Sequence, residues 1–309
     1  MKILITGGAG FIGSNIQDAY ISLGHQVAVM DSLYSGTRKN LNPQAKFFEC
    51  DIRSPQADEA IADFKPDILS LHAAQMDVRK SVEDPKFDCE VNGLGMLNLL
   101  EAGRKNGVKK IIFASSGGAV YGEQEYFPAD EKHPTNPASP YGITKLLGDK
   151  YLQYYQNVYG IPFVSLRYAN VYGPRQNPHG EAGVVAIFAS KLLKGEIPQI
   201  FGDGLQTRDY VFVGDVVRAN VLALGEKARG IFNIGTGIET TVVELYQALA
   251  KITGVAEPAQ HVPAKAGEQK RSMISSAKIK QELGWKPETG LAEGLKDTVE
   301  FFRKQQAKG

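Results

Sequence analysis

Tyr141 and Lys145 stand four positions apart in the run Tyr141-Gly142-Ile143-Thr144-Lys145. On a helix that spacing sets a phenol and an ammonium on one face. A phenol is a poor base near neutrality, because its reference pKa is about 10. A cation at roughly 5 Å, across an effective dielectric of about 20, favours phenolate by about 3 kcal/mol. That is worth about two pKa units and moves Tyr141 toward proton transfer. A second run, Ser115-Ser116-Gly117-Gly118-Ala119-Val120-Tyr121-Gly122, follows an apolar stretch. Ser116, with Ser115 as the second candidate, is placed to hold a substrate oxygen. The plain alternative is a serine-rich turn that satisfies its own backbone.

The glycine-rich run Thr6-Gly7-Gly8-Ala9-Gly10-Phe11-Ile12-Gly13 fits both Gly8-x-Gly10-x-x-Gly13 and Gly7-x-x-Gly10-x-x-Gly13. Glycines allow a tight turn and let backbone N–H groups approach a pyrophosphate at a helix N-terminus, where the dipole favours an anion. Between a strand and a helix the pattern points to a dinucleotide. Asp31 closes the second strand, where a carboxylate accepts from a ribose hydroxyl. Its charge repels a 2′-phosphate, so NAD is expected, although Arg38 and Lys39 keep NADP open. Asp51-Ile52 follows the third strand, and Asp51 either reaches an adenine amino group or caps the next turn. An oxidised nicotinamide beside Tyr141 adds a second positive charge with an effect similar to that of Lys145.

Placing these groups together requires strands that end on one side of a sheet. Lys2–Thr6, Gln26–Met30, Lys46–Cys50, Ile68–His72, Lys110–Ser115 and Phe163–Arg167 read as buried strands. Phe11–Leu23, Asp84–Lys105 and Ser139–Tyr159 read as helices, closed by Gly24, Asn106-Gly107 and Gly160. The alternation predicts an α/β fold with a Rossmann-type doubly wound parallel sheet. Ligands of such sheets bind beyond the carboxyl ends of the strands. In the second half Pro174–Gly183 is a polar loop. Helices are expected at Val184–Leu193, Asp215–Leu224, Thr241–Thr253, Ala277–Leu283 and Leu291–Gln305, and one more strand at Gly230–Ile234. The expected domains are a dinucleotide-binding body, 1–168 plus about 205–235, and a smaller mixed α/β substrate lobe, 169–204 plus 236–309.

The 309 residues carry 35 Lys plus Arg against 34 Asp plus Glu, a formal charge of +1. That balance argues against nucleic acid or an anionic membrane as the main partner. Only two cysteines occur, Cys50 and Cys89, and no C-x-x-C, so neither a disulfide framework nor a thiolate metal site is expected. The N-terminal apolar run breaks into glycines far short of a signal region, and no stretch approaches the roughly 20 apolar residues of a membrane span. A cytoplasmic protein without a metal is expected.

Together, Gly7-x-x-Gly10-x-x-Gly13, Asp31, Asp51, His72-Ala73-Ala74-Gln75, Asn92, Tyr141-x-x-x-Lys145 and Arg167-Tyr168-Ala169-Asn170-Val171-Tyr172-Gly173-Pro174 resemble the extended short-chain dehydrogenase/reductases. Within them the chain is similar to the UDP-glucose 4-epimerase family, from Met1 to the Leu283-Gly284-Trp285-Lys286-Pro287 segment and beyond. The resemblance implies tightly bound NAD and reversible inversion at C4 of a UDP-sugar. Tyr141 would take the 4-OH proton while C4 gives hydride to NAD, and the 4-keto sugar would turn over and receive hydride on its other face. Lys145 would hold the ribose hydroxyls and lower the Tyr141 pKa, and Ser116 would bond the sugar 4-oxygen. Gly7, Gly10, Phe11, Ile12, Gly13, Asp31, Asp51, Ile52, Ala73, Ala74, Gln75, Asn92 and Tyr168 would complete the cofactor site. Asn170, Val185, Ile200, Phe201 and Arg208 would hold the UDP end, with a further basic residue from Gly267-Glu268-Gln269-Lys270-Arg271. Arg271 offers a bidentate fork that Lys270 cannot. The plain reading of Arg208 is an ion pair with Asp209 or Asp215.

Two departures stand out. The family's usual hydroxyl position is occupied by Gly117, one residue after Ser116. Ser272 stands where a bulky tyrosine closes the sugar pocket in some members, so an N-acetyl group is expected to fit and UDP-GlcNAc/UDP-GalNAc to serve beside UDP-glucose/UDP-galactose. A 4,6-dehydratase needs an acid and a base where this chain has Gly118 and Ala119. A UDP-glucuronate decarboxylase or epimerase needs an extra donor, for which Arg79 and Arg175 are candidates. A non-catalytic NAD-sensing regulator would not need Tyr141 and Lys145. His72 is expected to pack near the cofactor. The stripes Phe87, Val91, Leu94, Leu97 and Tyr151, Tyr154, Tyr155, Val158 exceed what one core face needs, and the resemblance implies that the two helices pair with those of a second copy in a four-helix seam, in place of internal packing alone.

Overall fold

The computed structural model describes residues 1–178, 183–264 and 269–307. Among the described residues twelve strands occur in this order: β1 Lys2–Thr6, β2 Gln26–Asp31, β3 Lys46–Glu49, β4 Ile68–Leu71, β5 Lys110–Ser116, β6 Phe163–Tyr168, β7 Asn170–Tyr172, β8 Gln199–Phe201, β9 Thr207–Phe212, β10 Gly230–Ile234, β11 Glu239–Thr241 and β12 Gln260–Val262. Seven form one parallel sheet in the order β10-β6-β5-β4-β1-β2-β3. Strands β1, β2, β4, β5 and β6 are mostly buried and apolar because helices cover both sides, as a parallel sheet requires, while the edge strand β3 keeps Lys46 and Glu49 exposed. The winding direction reverses between β1 and β4, which opens a crevice beyond their carboxyl ends.

One face is covered by Pro55–Phe64, Met96–Lys105 and Pro140–Tyr159, around Leu99, Leu100, Phe113 and Leu152. The other is covered by Phe11–Ser22, Val213–Ala223 and Ala277–Leu283, around Ile16, Tyr20, Phe232 and Trp285. The lobe has its own core, where Val184–Leu193, Val242–Thr253 and Leu291–Gln306 meet. Its sheets are small: β11-β9-β7 and β12-β8.

The long helix expected at Asp84–Lys105 is broken into Pro85–Cys89, a π-helical turn Glu90–Gly95, and Met96–Lys105. Gly93 and Gly95 weaken the helix there, and the Asn92 side chain is tied to the Gln75 main chain by two hydrogen bonds. Strand β9 pairs with β7 and β11 in the lobe, so residues 207–212 leave the body with which they were grouped, while Val213–Ala223 and β10 return to it.

Candidate active site

The helix Pro140–Tyr159 is set by local chemistry. Ser139 caps it by accepting from the Gly142 amide at 3.1 Å, Pro140 opens it, and Gly160 ends it in a left-handed conformation. Two of its glycines bring it close to β5 and the loop that follows. A Cβ on Gly142 would stand 2.7 Å from the Ala119 carbonyl oxygen, and one on Gly148 would stand 2.5 Å from the Phe113 ring. This contact carries Tyr141 and Lys145 to the end of β5.

As the spacing predicts, the two side chains share a face: the Lys145 ammonium lies 5.6 Å from the Tyr141 ring centre. Lys145 is buried, donates to the Ala114 carbonyl at 2.9 Å and sits 5.0 Å from the Phe113 ring centre. Burial pushes its pKa down to about 8, against the pull of Asp88 and Asp149. Burial pushes the Tyr141 phenol up to about 12, opposed by hydrogen bonding from Ser116. The two-unit lowering expected from Lys145 is therefore not seen in the protein alone. Desolvation of the phenol dominates, and the Asp88 charge adds to it.

Ser116, at the last position of β5, is the serine beside the Tyr141 phenol. Ser115 points to the other side of the strand, is buried, and its hydroxyl has no hydrogen-bond partner among the described residues. A Cβ on Gly117 would lie 2.6 Å from the Ile274 Cδ1, so a side chain there requires Ile274 to move. A Cβ on Gly118 would stand 4.0 Å from the Ser116 hydroxyl and 3.6 Å from the Asn170 amide oxygen, so the three gather at one place.

The glycine loop fills the crevice at the end of β1. Gly7 has φ +71° and a Cβ there would strike Ala73 backbone at 2.7 Å; at Gly13 it would meet the Gly7 carbonyl oxygen at 2.4 Å. This is a cradle that only bare backbone can form, and it fits a pyrophosphate at the N-terminus of Phe11–Ser22. Gly10, Phe11 and Ile12 line its partly exposed rim. Asp31 accepts from the Ala9 amide at 3.0 Å and the Leu33 amide at 2.8 Å, and burial raises its pKa. Arg38 is drawn to Glu49 and stacks over Phe47, which takes it away from a 2′-phosphate. Asp51 is held by Arg53 through its amide at 2.9 Å and its guanidinium at 2.7 Å, the turn-capping alternative, and the pair lowers its pKa. The Ile52 side chain is in the core and its carbonyl accepts from Asn98 at 2.9 Å.

Ala73, Ala74 and Gln75 follow β4 into the same crevice. Asn92 clasps Gln75, accepting from its amide at 2.8 Å and donating to its carbonyl at 2.9 Å. His72 is partly buried, with burial and Lys145 pushing its pKa down to about 3, so the ring is neutral. Tyr168 is a core residue whose hydroxyl accepts from Asn220 at 2.8 Å.

In the lobe, Asn170 opens β7 beside Gly118. Val185 and Ile200 are core side chains at 1% exposure, so neither presents its side chain to a ligand. Both lie on elements whose apolar faces build the lobe core. Phe201 is partly exposed, and its carbonyl accepts from Gln206 at 3.3 Å. The Arg208 guanidinium donates to the Thr207 carbonyl at 2.8 Å, while Asp209 is taken by Thr236 and Asp215 by Arg218. Arg271 is half-exposed, and its fork is occupied by Glu239 at 2.9 and 2.7 Å and stacked on Phe127. Gly267 and Glu268 lie outside the described residues. Ser272 is 3% exposed. Arg175 is tied to Ser14 and Asp18 on the first helix, which removes it as a candidate donor to substrate.

Sequence reasoning missed Asp88, Thr144 and Ser81. Ser81 accepts from the Tyr141 amide at 3.2 Å, and Asp88 accepts from the Thr144 hydroxyl at 2.7 Å. The usable signal was the four-residue spacing of Asp88 and Asn92 within an otherwise apolar stripe.

Comparison with known proteins agrees with this geometry. The NAD dependent epimerase/dehydratase family matches residues 3–235. The UDP-glucose 4-epimerase of Mycolicibacterium smegmatis is 46% identical over 309 residues, 98% of this chain and 99% of its own. The crystal structure of the Thermotoga maritima UDP-glucose 4-epimerase with UDP-glucose is 48% identical, with a TM-score of 0.97 over 99% of this chain and 100% of that one. That of the Thermus thermophilus UDP-glucose 4-epimerase complex with NAD is 47% identical, with a TM-score of 0.94 over 98% of this chain and 99% of that one.

Proposed function

We propose a reaction for a chain that belongs to the NAD-dependent epimerase/dehydratase family: reversible inversion at C4 of a UDP-hexose, with NAD as cofactor. The observation that carries it is the Tyr141–Lys145–Ser116 cluster at the carboxyl end of β5, facing the glycine cradle at the end of β1. NAD, when bound, supplies the hydride carrier and, oxidised, a positive ring that favours the phenolate. Gly7, Gly10, Gly13, Asp31 and the Ala73–Gln75 segment would hold it.

Tyr141 is the proton carrier: it takes the 4-OH proton and returns it after inversion. Ser116 orients the same oxygen by hydrogen bonding. Lys145 supplies a fixed positive charge under the Tyr141 ring. Asn170, Arg208 and Arg271 hold the diphosphate, and the Ile200-Phe201 main chain faces the base. Arg271 must exchange Glu239 for phosphate; an exposed pair of this kind is worth about 0–1 kcal/mol, so the exchange is inexpensive. The body is 1–168 plus 213–235, with the helix Ala277–Leu283 and Trp285 packed on it, and the lobe is 169–212 with the remainder of 236–309.

Ser272 is a small residue where a tyrosine closes the sugar pocket in some members of the resembled family, and this supports UDP-GlcNAc and UDP-GalNAc as further substrates. Among the described residues no helix is long and apolar enough to cross a membrane. A cytoplasmic location belongs to the same reading. Leu94, Ile143, Tyr154 and Val158 are 47–60% exposed on neighbouring helices, an apolar face that supports a homodimer seam. Tyr155 does not join it; it is buried and donates to Glu101 at 2.6 Å.

The test is to incubate the purified protein, without added cofactor, with UDP-galactose, UDP-GalNAc or UDP-galacturonate and to separate the products. Epimers of the first two are expected. Loss of water or of carbon dioxide would overturn the reading in favour of a dehydratase or decarboxylase.

A further inference from the structure

Asp88 is fully buried at the end of the helix Pro85–Cys89. Among the described residues no lysine or arginine forms an ion pair with it. One carboxylate oxygen accepts from Gln75 Nε2 at 3.0 Å and Asn92 Nδ2 at 3.1 Å, and the other accepts from Thr144 Oγ1 at 2.7 Å. Three donors converge on the group, which is the environment of an acceptor-only anion. A buried carboxylate is costly to keep unless it is hydrogen-bonded or paired, and the three donors offset part of that cost. The π-helical turn that follows brings Asn92 to the same partners, and such turns recur at functional sites.

We propose that Asp88 is a positioning residue for the Tyr141–Lys145 pair. Its charge is the counter-ion of the buried ammonium, and its hydrogen bonds fix Thr144, which lies between the two. The proposal rests on the catalytic reading above and deepens it. Lys145 is faced by Asp88 from Pro85–Cys89, by His72 from the end of β4, and by Tyr141 and Asp149 from its own helix. Asp149 is paired with Arg167 of β6 at 2.8 Å, and His72 is neutral, so Asp88 is the uncompensated charge of the group. Tyr141 is faced by Ser116 from β5 and by Asp88. Asp88 favours the protonated form of both Lys145 and Tyr141.

The decisive variant is Asp88→Asn, which keeps the volume and the acceptor for Gln75 and Asn92. Thr144 can then accept from the new amide and turn its own hydrogen to the Tyr141 carbonyl, 3.1 Å away. Without the charge both groups lose protons more readily, so both limbs of the kcat–pH profile move to lower pH by about one unit. Thr144→Val breaks the hydrogen bond and keeps the charge. It should lower kcat by about tenfold at every pH with the limbs unmoved. Unmoved limbs in Asp88→Asn, or limbs displaced in Thr144→Val, overturn the proposal, and the second result decides even where Asp88→Asn does not fold. Activity surviving in Tyr141→Phe would instead sink the catalytic reading itself.

Discussion

The Lys145 ammonium lies 5.6 Å from the Tyr141 ring centre, yet burial dominates both groups. Lys145 holds its charge only below a pKa of about 8, while the phenol, in the protein alone, ionises near 12. As pH rises the cation is lost before the phenolate forms. Turnover is therefore expected to fall above about pH 8, as the lysine deprotonates. Arginine stays charged across this range, so Lys145→Arg should abolish the alkaline fall while lowering kcat by about tenfold through altered geometry. Lys145→Met should lose about 100-fold or more. A pH–rate series on the three proteins checks this; an alkaline fall that persists in Lys145→Arg assigns it to another group.

Gly148 is the second point where the catalytic helix touches the sheet. Its Cβ would stand 2.5 Å from the Phe113 ring, whose neighbour Ala114 receives the Lys145 ammonium. Gly148→Ala should destabilise the protein by about 1–3 kcal/mol despite the better helix propensity of alanine, because overpacking exceeds the propensity gain. Urea unfolding measures it. A stabilised Gly148→Ala would show that the helix is free to shift and that its close approach does not position the pair.

The body was legible because its signals are periodic or local. Strands β1, β2 and β5 are apolar runs, the helix Pro140–Tyr159 carries its own cap and stop, and four-residue spacing placed Tyr141 over Lys145. The break at Glu90–Gly95 was hidden because residues 84–105 look helical throughout, and only the tertiary bonds to Gln75 select the wider turn. Strands β7, β8, β11 and β12 are three residues each, too short to show alternation. The Tyr141 pKa was misjudged because sequence shows the neighbouring charge but not the loss of water. Arg271 was recognisable as a cation, but Glu239, which occupies it, lies 32 positions earlier and reaches it only through the fold.

That Arg271–Glu239 pair yields its own expectation. The fork is half-exposed and planar, so a diphosphate can replace the carboxylate with the same bidentate geometry. If Arg271 binds the diphosphate as proposed, Arg271→Ala should raise KM for the UDP-sugar about tenfold with kcat little changed, as for a contact that is not made to the reacting carbon. Arg271→Lys should recover only part of the loss. Glu239→Gln, which releases the arginine, should leave KM equal or lower. A higher KM in Glu239→Gln would show that the ion pair builds the site rather than competing with substrate.

Ser272 is 3% exposed, next to Met273, whose amide donates to Gln124 at 3.0 Å, and near Ile274, which packs against Val120 and Ala129. The backbone on either side is thus fixed, and a larger side chain at 272 has to grow into whatever space adjoins it. If that space is the C2 side of the sugar pocket, Ser272→Tyr should reduce kcat/KM for UDP-GlcNAc by about 100-fold while UDP-glucose stays within about tenfold. The discrimination is steric and falls on the acetyl group alone. Ser272→Ala should leave both substrates as they are. Parallel assays on the two sugars, with thermal unfolding as a check on folding, decide the matter: equal losses on both would move Ser272 out of the sugar pocket and into the packing of the loop.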